Sequence, residues 1–314
     1  MDLNALSDFR TRIINNCSKV IVGKEDEVFD VLVCFLCSGH ILLEDIPGTG
    51  KTMLLRAFAK TIGGSFKRVQ FTPDVLPSDL TGINFYNQKT GEFDFRPGPL
   101  FANLILADEI NRATPRTQSS LLEAMAEAQI TVDGNTYPMT NPFMIMATQN
   151  PLESHGTFPL PDAQIDRFFM RISLGYMTRE EEISVLSGRD TMDIANDLEQ
   201  QTSLEEILQF KSMCRNVEVS PDVVEYLMDI VEKTRNDSRI HIGISTRGAI
   251  AAYRAAQATA GLSGRDFVLP EDIRRLAPRV LAHRLSLSGM TSAGEDRKIL
   301  EDIINATPVP LENV

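Results

Sequence analysis

The amino-acid sequence predicts an α/β domain with a parallel sheet, followed by a small all-helical domain. Up to about residue 175, short apolar runs alternate with amphipathic helical patterns, which is typical of parallel sheets covered by helices. Beyond that point the β-like runs fade and helix-start signals recur. A chain of 314 residues suits two domains at ~150 residues each. We therefore assign residues 1–175 to the first domain and residues 176–314 to the second.

Five predicted strands, with helices between them, make up the first domain. The strands are expected at residues 41–44, 68–71, 104–107, 143–147 and 169–174, and the helices include residues 26–37, 51–61 and 116–128. Two polar insertions interrupt this alternation. Residues 72–100 contain two short strands around a turn, and residues 129–138 contain Asp133-Gly134, a strong hairpin-turn signal.

Helix-start signals define the second domain. Thr178 with Glu181, and Ser203 with Glu206, have the spacing of a capping box, in which each residue satisfies a backbone N–H of the other. Further helices are predicted at residues 246–260, 270–282 and 296–306. The second domain is therefore expected to be a small helical bundle.

Composition and charge exclude several classes of protein. The net charge of −12 gives the chain no general attraction to nucleic acid or to anionic lipid, which disfavours a nucleic-acid partner. The apolar runs fall far short of the ~20 residues of a membrane-spanning helix, and the first residues lack the layout of a signal peptide. Four cysteines do not make a disulfide framework in a chain of this length. We expect a cytoplasmic protein with no membrane span.

Residues 41–52, ILLEDIPGTGKT, have the layout of a phosphate-binding loop: an apolar strand, a glycine-containing loop and the start of a helix. Such a loop turns backbone N–H groups toward phosphate oxygens, and the helix N-terminus adds its positive end. Lys51 would reach the β- and γ-phosphates, and the Thr52 hydroxyl would be a ligand of Mg²⁺. The residues expected to contact a nucleotide here are Pro47, Gly48, Thr49, Gly50, Lys51, Thr52 and Met53.

Asp45 departs from the general phosphate-loop pattern, which has glycine at this position. A carboxylate that faced the loop would repel phosphate. One that faced outward would leave the glycine-containing core free to bind it. The sequence leaves both orientations open.

Acidic and amide side chains follow two other predicted strands. Asp108 and Glu109 come at the carboxyl end of a strand, where open α/β sheets bind ligands. Asp108 would hold the Mg²⁺ shell, and Glu109 would orient and deprotonate the attacking water. Asn150 ends another apolar run, and its amide could hold that water without adding charge. The alternative for Asp108 and Glu109 is a solvated acidic turn after the strand. The alternative for Asn150 is a turn formed by the Asn-Pro pair.

Seven segments together resemble the AAA+ ATPases, and within them the MoxR group, over nearly the whole chain. They are VIVGKE (20–25), GHILLEDIPGTGKT (39–52), FTPDVLPSDLTG (71–82), FRPGPLFANLILADEINRATPRTQSSLLEAMAE (95–127), MATQNP (146–151), TFPLPDAQIDRF (157–168) and GISTRGAIA (243–251). The resemblance implies a P-loop NTPase αβα sandwich with a five-stranded parallel sheet and a helical lid. Loops of this group tolerate an acidic residue at the position of Asp45.

Roles for individual residues also come from the resemblance, together with ATP and Mg²⁺ as cofactors. It implies Lys51 and Thr52 in Walker A, Asp108 and Glu109 in Walker B, Asn150 at sensor 1, and Val22 and Gly23 in a loop that contacts adenine. The polar insertions at residues 72–100 and 129–138 match the helix-2 insert and the hairpin before sensor 1.

Arg167 matches the arginine finger, a cation that reaches the nucleotide of the next subunit. Arg171 lies four residues further on and is a second candidate for this role. The alternative is a surface arginine paired with Asp162 or Asp166. Such a finger would make hydrolysis depend on assembly of the ring.

Arg247 matches sensor 2. It follows the N-cap pair Ser245-Thr246, so it lies in the first turn of a predicted helix, where a cation costs ~0.3–1 kcal/mol against the helix dipole. A nearby ATP phosphate would offset that cost. The alternative is an arginine paired with a carboxylate of the lid.

The leading functional hypothesis is a ring-forming, homo-hexameric ATPase that hydrolyses Mg·ATP. The resemblance implies a chaperone-like role in remodelling or maturing protein complexes or metalloenzymes, with a partner that carries a von Willebrand factor A (VWA) domain. One alternative is a magnesium-chelatase-like or DNA-acting motor subunit. The DNA-acting version is disfavoured because the insertion tips carry only Lys89 as a base. The other alternative is a nucleotide-dependent binding switch with little turnover.

Overall fold

The structure is a computed structural model that describes residues 3–45, 48–149, 156–187, 191–289, 292 and 294–310. The strands are β1 (Ile41–Glu44), β2 (Phe66–Gln70), β3 (Gly82–Asn87), β4 (Glu92–Pro97), β5 (Leu104–Asp108), β6 (Gln129–Val132), β7 (Asn135–Pro138), β8 (Met144–Gln149), β9 (Met170–Ile172), β10 (Ile240–Ile242) and β11 (Ser286–Leu287). The helices are α1 (Leu3–Cys17), α2 (Glu25–Leu36), α3 (Lys51–Ile62), α4 (Pro77–Thr81), α5 (Pro115–Glu127), α6 (Asp162–Ile165), α7 (Arg179–Ser187), α8 (Thr191–Asp197), α9 (Leu204–Arg215), α10 (Pro221–Asn236), α11 (Thr246–Leu262), α12 (Pro270–Leu281) and α13 (Glu295–Asn305). Short 3₁₀ turns span Pro99–Phe101, Ile110–Arg112 and Ala282–Arg284.

Five parallel strands form the central sheet, in the order β2-β5-β8-β1-β9. The register aligns Glu44 with Gln149 and Gln70 with Asp108. The polar residues that end these strands therefore lie along the same edge of the sheet, which is where open parallel sheets bind ligands. The predicted parallel sheet of five strands is confirmed.

Central strands of the sheet are buried on both faces, so their sequences are continuous apolar runs rather than alternating ones. Alternate side chains enter two different cores. One core contains Ile41, Leu43, Leu104, Leu106, Met144 and Met146, together with residues of α1, α2, α3 and the C-terminal helices. The other contains Leu42, Ile105, Ala107, Ile145 and Ala147, together with residues of α5. This arrangement makes the first domain a three-layered αβα structure.

Both predicted insertions form β-hairpins. Strands β3 and β4 pair antiparallel around a turn in which Asn87 faces Glu92. Strands β6 and β7 pair around Asp133 and Gly134, whose φ angles are 49° and 82°. Positive φ at both central residues is typical of the hairpin turns that match the twist of paired strands. The sequence signal at Asp133-Gly134 is confirmed.

The C-terminal part is helical, as predicted, with the addition of a short antiparallel ribbon between β10 and β11. The hydroxyls of Ser203, Ser220 and Ser245 each accept a hydrogen bond from a first-turn N–H and so cap α9, α10 and α11. Both hydrogen bonds of the capping box between Thr178 and Glu181 are present. Among the described helices, none combines the length and the apolar character that a membrane-crossing segment requires.

Helix α1 is absent from the sequence-based prediction. It packs against α3 and also against α11 of the C-terminal part. Phe9 lies on its buried face, with its ring centroid 4.5 Å from that of Phe210 in α9. The N-terminal helix therefore contacts both parts of the chain. The division at residue 175 stays a prediction.

Candidate active site

Strand β1 leads into the candidate phosphate loop, and α3 follows it. Gly48 and Gly50 have φ angles of 88° and 89°, in the left-handed region that favours glycine. Gly50 is the N-cap residue of α3, and no side chain caps that helix. The N-cap residue therefore offers the first N–H groups of α3 no side-chain acceptor, as is typical of a helix end that binds an anion.

Lys51 begins α3 and points back across the loop. Its Nζ donates a hydrogen bond to the backbone oxygen of Asp45 at 2.7 Å. Partial burial lowers the pKa of Lys51 from its ordinary value, although the charges of Asp45, Asp108 and Glu109 act in the opposite direction. An ammonium group has three N–H donors, so donors remain for a ligand.

The carboxylate of Asp45 faces away from the phosphate loop. It accepts hydrogen bonds from the backbone N–H of Leu174 at 2.6 Å, from that of Gly175 at 3.3 Å, and from the Ser173 hydroxyl at 3.3 Å. Of the two orientations left open by the sequence, the outward one is observed. Asp45 therefore joins the start of the phosphate loop to the segment that follows β9.

A single pocket at this edge of the sheet brings seven of the predicted site residues together. Its lining consists of Asp45, Gly48, Gly50, Lys51, Thr52, Met53, Arg68, Gln70, Asp108, Glu109, Thr148 and Gln149. Two predicted site residues, Pro47 and Asn150, lie outside the described residues.

Thr148 connects the two acidic residues at the end of β5. Its hydroxyl donates to Asp108 Oδ1 at 2.7 Å and accepts from the backbone N–H of Glu109 at 2.8 Å. Glu109 has φ 58° and ψ 51°, a left-handed backbone that costs a non-glycine residue about 1–3 kcal/mol. Such strain is common at functional sites, where it aims a side chain in one direction.

Polar side chains elsewhere in the chain bind the carboxylates of both Asp108 and Glu109. Arg68 of β2 donates to Asp108 Oδ2 at 2.6 Å. Gln70 of the same strand donates to Glu109 Oε2 at 2.9 Å, and Arg112 pairs with the same oxygen at 2.9 Å. No sequence pattern predicted these four side chains as site residues: Arg68, Gln70, Arg112 and Thr148. Side chains alternate between the two faces of a strand, so the sequence could have predicted that Arg68 and Gln70 share one face of β2. It could not have predicted that this face lies beside Asp108.

Thr52 and Asp108 fit a magnesium site by their chemistry. Both offer oxygen ligands, and both line the pocket next to Lys51. Mg²⁺ usually takes only one or two ligands from a protein and completes its shell with waters and substrate phosphates. In keeping with this, the described residues contain no group of three or more His, Cys, Asp or Glu that could hold a metal on its own.

Arg167 lies on the surface, and its Nη1 donates to the backbone oxygen of Leu122 at 3.0 Å. Asp166, one of the two surface partners that the sequence offered together with Asp162, instead pairs with Arg284. Arg171, the second finger candidate, is held within its own chain by two carboxylates, those of Glu44 and Asp296.

Arg247 lies in the first turn of α11, as predicted, next to the cap that Ser245 forms. Its Nη1 is 3.6 Å from Asp166 Oδ2, and 60% of its side chain is exposed. The acid that pairs with it therefore belongs to the segment before β9 rather than to the C-terminal helices.

The loop before α2 holds Val22 and Gly23, which are absent from the described lining of the pocket. Gly23 has a φ of 70°, and a Cβ on it would lie 1.7 Å from Glu181 Oε1. Next to it, Lys24 donates to the backbone oxygen of Tyr176 at 3.3 Å. This loop thus packs against the segment that leads into the C-terminal part.

Comparisons with known proteins agree with this geometry. Residues 40–170 match the model of the ATPase family associated with various cellular activities (AAA), and residues 232–305 match the AAA lid domain. The chain is 46% identical to the uncharacterized protein YeaC of Bacillus subtilis, over 96% of this chain and 95% of that one. It is 41% identical to chaperone MoxR1 of Mycobacterium tuberculosis, over 88% and 75%. A crystal structure of a Cytophaga hutchinsonii protein assigned as an ATPase superposes with a TM-score of 0.90 at 38% identity, covering 99% and 97%. The chain belongs to the MoxR family of AAA+ ATPases.

Proposed function

We propose that this ATPase hydrolyses Mg·ATP in the pocket at the carboxyl edge of its sheet and uses the energy to remodel other proteins. One observation carries the proposal. An uncapped helix N-terminus, the Lys51 ammonium and the carboxylates of Asp108 and Glu109 border the same pocket. Phosphoryl transfer depends mainly on positioning and on charge stabilisation, and these groups can supply both.

Each residue has a distinct role in the proposed reaction. The Lys51 ammonium stabilises the negative charge on the β- and γ-phosphate oxygens. Glu109 accepts a proton from the attacking water, and the Asn150 amide orients that water. Thr52 and Asp108 hold Mg²⁺, which when bound neutralises charge on the phosphate oxygens. Thr148 and the left-handed backbone of Glu109 fix the direction of the two carboxylates.

Arg167 is proposed to act on the nucleotide of the neighbouring subunit in a ring of six. Its exposure and its position next to a firmly held segment support this role. Arg171 is the weaker candidate, because Glu44 and Asp296 already bind its guanidinium. A head-to-tail interface that closes into a ring would then complete every active site.

Arg247 is proposed to bind phosphate as sensor 2, which requires it to leave Asp166. The ion pair with Asp166 is largely exposed and so contributes little free energy, about 0–1 kcal/mol. Val22 and Gly23 are proposed to contact the adenine through the backbone.

The proposed clients are protein complexes or metalloenzymes under maturation, reached together with a VWA-domain partner in the cytosol. The family relationship supports the chaperone-like role, since a relative over most of the chain is named chaperone MoxR1. Free thiols at all four cysteines suit a reducing compartment. The two hairpins, β3–β4 and β6–β7, are the proposed contact elements within the ring.

Glu109→Gln tests the catalytic part of the proposal. This variant should bind ATP with near-normal affinity, while turnover falls about 10²–10⁴-fold because the general base is lost. Glu123→Gln is the matched control, since it makes the same change at an exposed position of α5. Unchanged turnover in Glu109→Gln would remove Glu109 as the base. Tight ATP binding without turnover in the unmodified protein would favour the nucleotide-dependent binding switch.

A further inference from the structure

Arg284 is a buried arginine that binds the segment around Arg167. It ends the 3₁₀ turn after α12, and only 2% of its side chain is exposed. Its Nη1 donates to the backbone oxygen and to Oδ1 of Asp166, both at 2.6 Å, and its Nη2 donates to the backbone oxygen of Phe168 at 2.7 Å. One guanidinium therefore holds the carbonyl groups on both sides of Arg167.

His283 reinforces the same attachment. Its Nε2 is 3.0 Å from the backbone oxygen of Phe168 and must donate to it, because a carbonyl only accepts. Burial lowers the pKa of His283 well below its ordinary value, so the ring is neutral at physiological pH. Two adjacent side chains of the C-terminal part thus bind the backbone just after Arg167.

The planar guanidinium accounts for the choice of arginine at this position. A buried cation is costly unless it is paired and its donors are satisfied. Arg284 meets this requirement with Asp166, the carbonyl of Phe168 and, through Nε, the carbonyl of Val280 at 2.8 Å. A lysine would keep the charge but could not reproduce this fixed fork of donors.

The same attachment reaches the turn that carries Arg247. Asp166 also accepts a hydrogen bond from Ser245 Oγ at 3.3 Å and lies 3.6 Å from Arg247. A Cβ on Gly248 would lie 3.0 Å from Cδ of Arg284, so the first turn of α11 packs directly on this arginine. The segment before β9, the 3₁₀ turn and the start of α11 form one packed unit.

We infer that Arg284 is a positioning residue that fixes the backbone around Arg167 so that this arginine is presented to the next subunit. Arg284 itself is buried and acts on Arg167 through Asp166 and the carbonyl of Phe168. The inference deepens the proposed function and depends on the proposed action of Arg167 in the neighbouring site.

Mixed rings separate this role from a role in the residue's own active site. Arg284→Lys alone should lose most ATP hydrolysis, about tenfold or more, while its affinity for ATP changes less than twofold. Glu109→Gln keeps both Arg167 and Arg284 but lacks the base. In an equal mixture of the two inactive variants, about a quarter of the sites of a head-to-tail ring combine an intact base with an intact neighbouring arginine. ATP hydrolysis by the mixture should therefore rise toward about a quarter of that of the unmodified protein.

Three further variants complete the experiment. Arg167→Ala, mixed with Glu109→Gln in the same way, tests the proposed action of Arg167 in the neighbouring site. Arg279→Lys is the matched structural control, since Arg279 lies on α12 and pairs with a buried carboxylate, Asp30, away from the Arg167 segment. It should lower the unfolding midpoint without changing hydrolysis per folded protein. Asp166→Asn serves as a second probe if Arg284→Lys does not fold, and it should show the same pattern of rescue.

The outcomes distinguish the role of Arg284 from that of Arg167. Rescue of both Arg284→Lys and Arg167→Ala supports the inference. Rescue of Arg167→Ala alone overturns the inference and leaves the proposed function standing. Failure of Arg167→Ala to be rescued contradicts the proposed action of Arg167 in trans and, with it, the inference about Arg284. Full activity of Arg284→Lys by itself overturns the inference as well.

Discussion

The guanidinium of Arg68 donates to Asp108 Oδ2 at 2.6 Å, so a cation of the chain itself holds the carboxylate proposed to bind Mg²⁺. The two strands that carry them are paired in register, with Gln70 opposite Asp108. Arg68 is about half exposed, and Asp108 is mostly covered. Any metal that uses this carboxylate must compete with Arg68 for it.

Replacing Arg68 with glutamine should therefore strengthen metal binding. A partly exposed ion pair contributes ~0.2–1 kcal/mol, so Arg68→Gln should lower the dissociation constant for Mn²⁺ by a factor of about 1.4 to 5 in the presence of ADP. Electron paramagnetic resonance of free Mn²⁺ gives this constant directly. Lys67→Gln is the control, because it removes an exposed positive charge from the opposite face of the same strand. Equal effects of the two variants, or weaker metal binding in Arg68→Gln, would contradict the competition.

Asp45→Ala should destabilise the protein and weaken nucleotide binding together. The change leaves the N–H groups of Leu174 and Gly175 without the carboxylate that accepts from them. Losing charge-assisted hydrogen bonds at a buried site costs about 2 kcal/mol. Urea unfolding should show this loss, and ATP titration should show weaker binding because the phosphate loop is no longer joined to the end of β9. A loss of stability with unchanged ATP affinity would mean that the hydrogen bonds of Asp45 do not determine the conformation of the phosphate loop.

His40 should make the protein sensitive to acid. The N–H of Ile145 donates to its Nδ1 at 3.0 Å, and its Nε2 donates to the backbone oxygen of Met125 at 3.1 Å, so the ring must be neutral. Burial lowers the pKa of His40 to about 4, from 6.5 in the unfolded chain. The unfolded state therefore binds a proton first, and stability is lost as the pH falls from 6.5 toward 4.

This contribution amounts to about 2 kcal/mol lost between pH 7.5 and pH 5. Chemical denaturation at the two pH values should show that loss for the unmodified protein and a clearly smaller one for His40→Gln. The comparison between the two proteins cancels the contributions of other groups, such as His283 and Asp30. The same loss in both proteins would exclude His40 as its source.

Arg171→Gln should behave differently from Arg167→Ala. Its guanidinium joins Glu44, at the end of β1, to Asp296 of α13, so its loss should lower the free energy of unfolding. The residue acts within its own chain, and we therefore expect no gain in activity when Arg171→Gln is mixed with Glu109→Gln. A gain comparable to that of Arg167→Ala would make Arg171 the residue that acts in trans.

Sequence patterns predicted those parts of the fold and of the site that are formed by residues contiguous in the chain. The strand, glycine loop and helix around Lys51 are contiguous, and so are the apolar run and the acidic pair that ends at Glu109. Burial on both faces made β1, β5 and β8 recognisable as continuous apolar runs. These local signals were enough to predict the sheet and most of the pocket.

Contacts between segments that are distant in the chain could not be predicted from such local patterns. Arg68 reaches Asp108 only through strand pairing, and Arg284 reaches Asp166 across the two parts of the chain. Nothing near either arginine in the sequence marks its partner. The orientation of Asp45 likewise depends on N–H groups about 130 residues further on.

Helix α1 was missed for a different reason. Its apolar residues, Leu6, Phe9, Ile13 and Cys17, have helical spacing, but polar residues separate them. Packing against α3 and α11 stabilises it more than its intrinsic helix propensity does.

The central claim is that each active site is completed by an arginine from a neighbouring subunit. Its most direct test is the specific rate of Mg·ATP hydrolysis as a function of protein concentration, with Glu109→Gln as the control for contaminating activity. The account predicts that the specific rate rises steeply with concentration, in parallel with ring assembly seen by sizing. A constant, non-zero specific rate from a protein that sizing shows to be monomeric would contradict it.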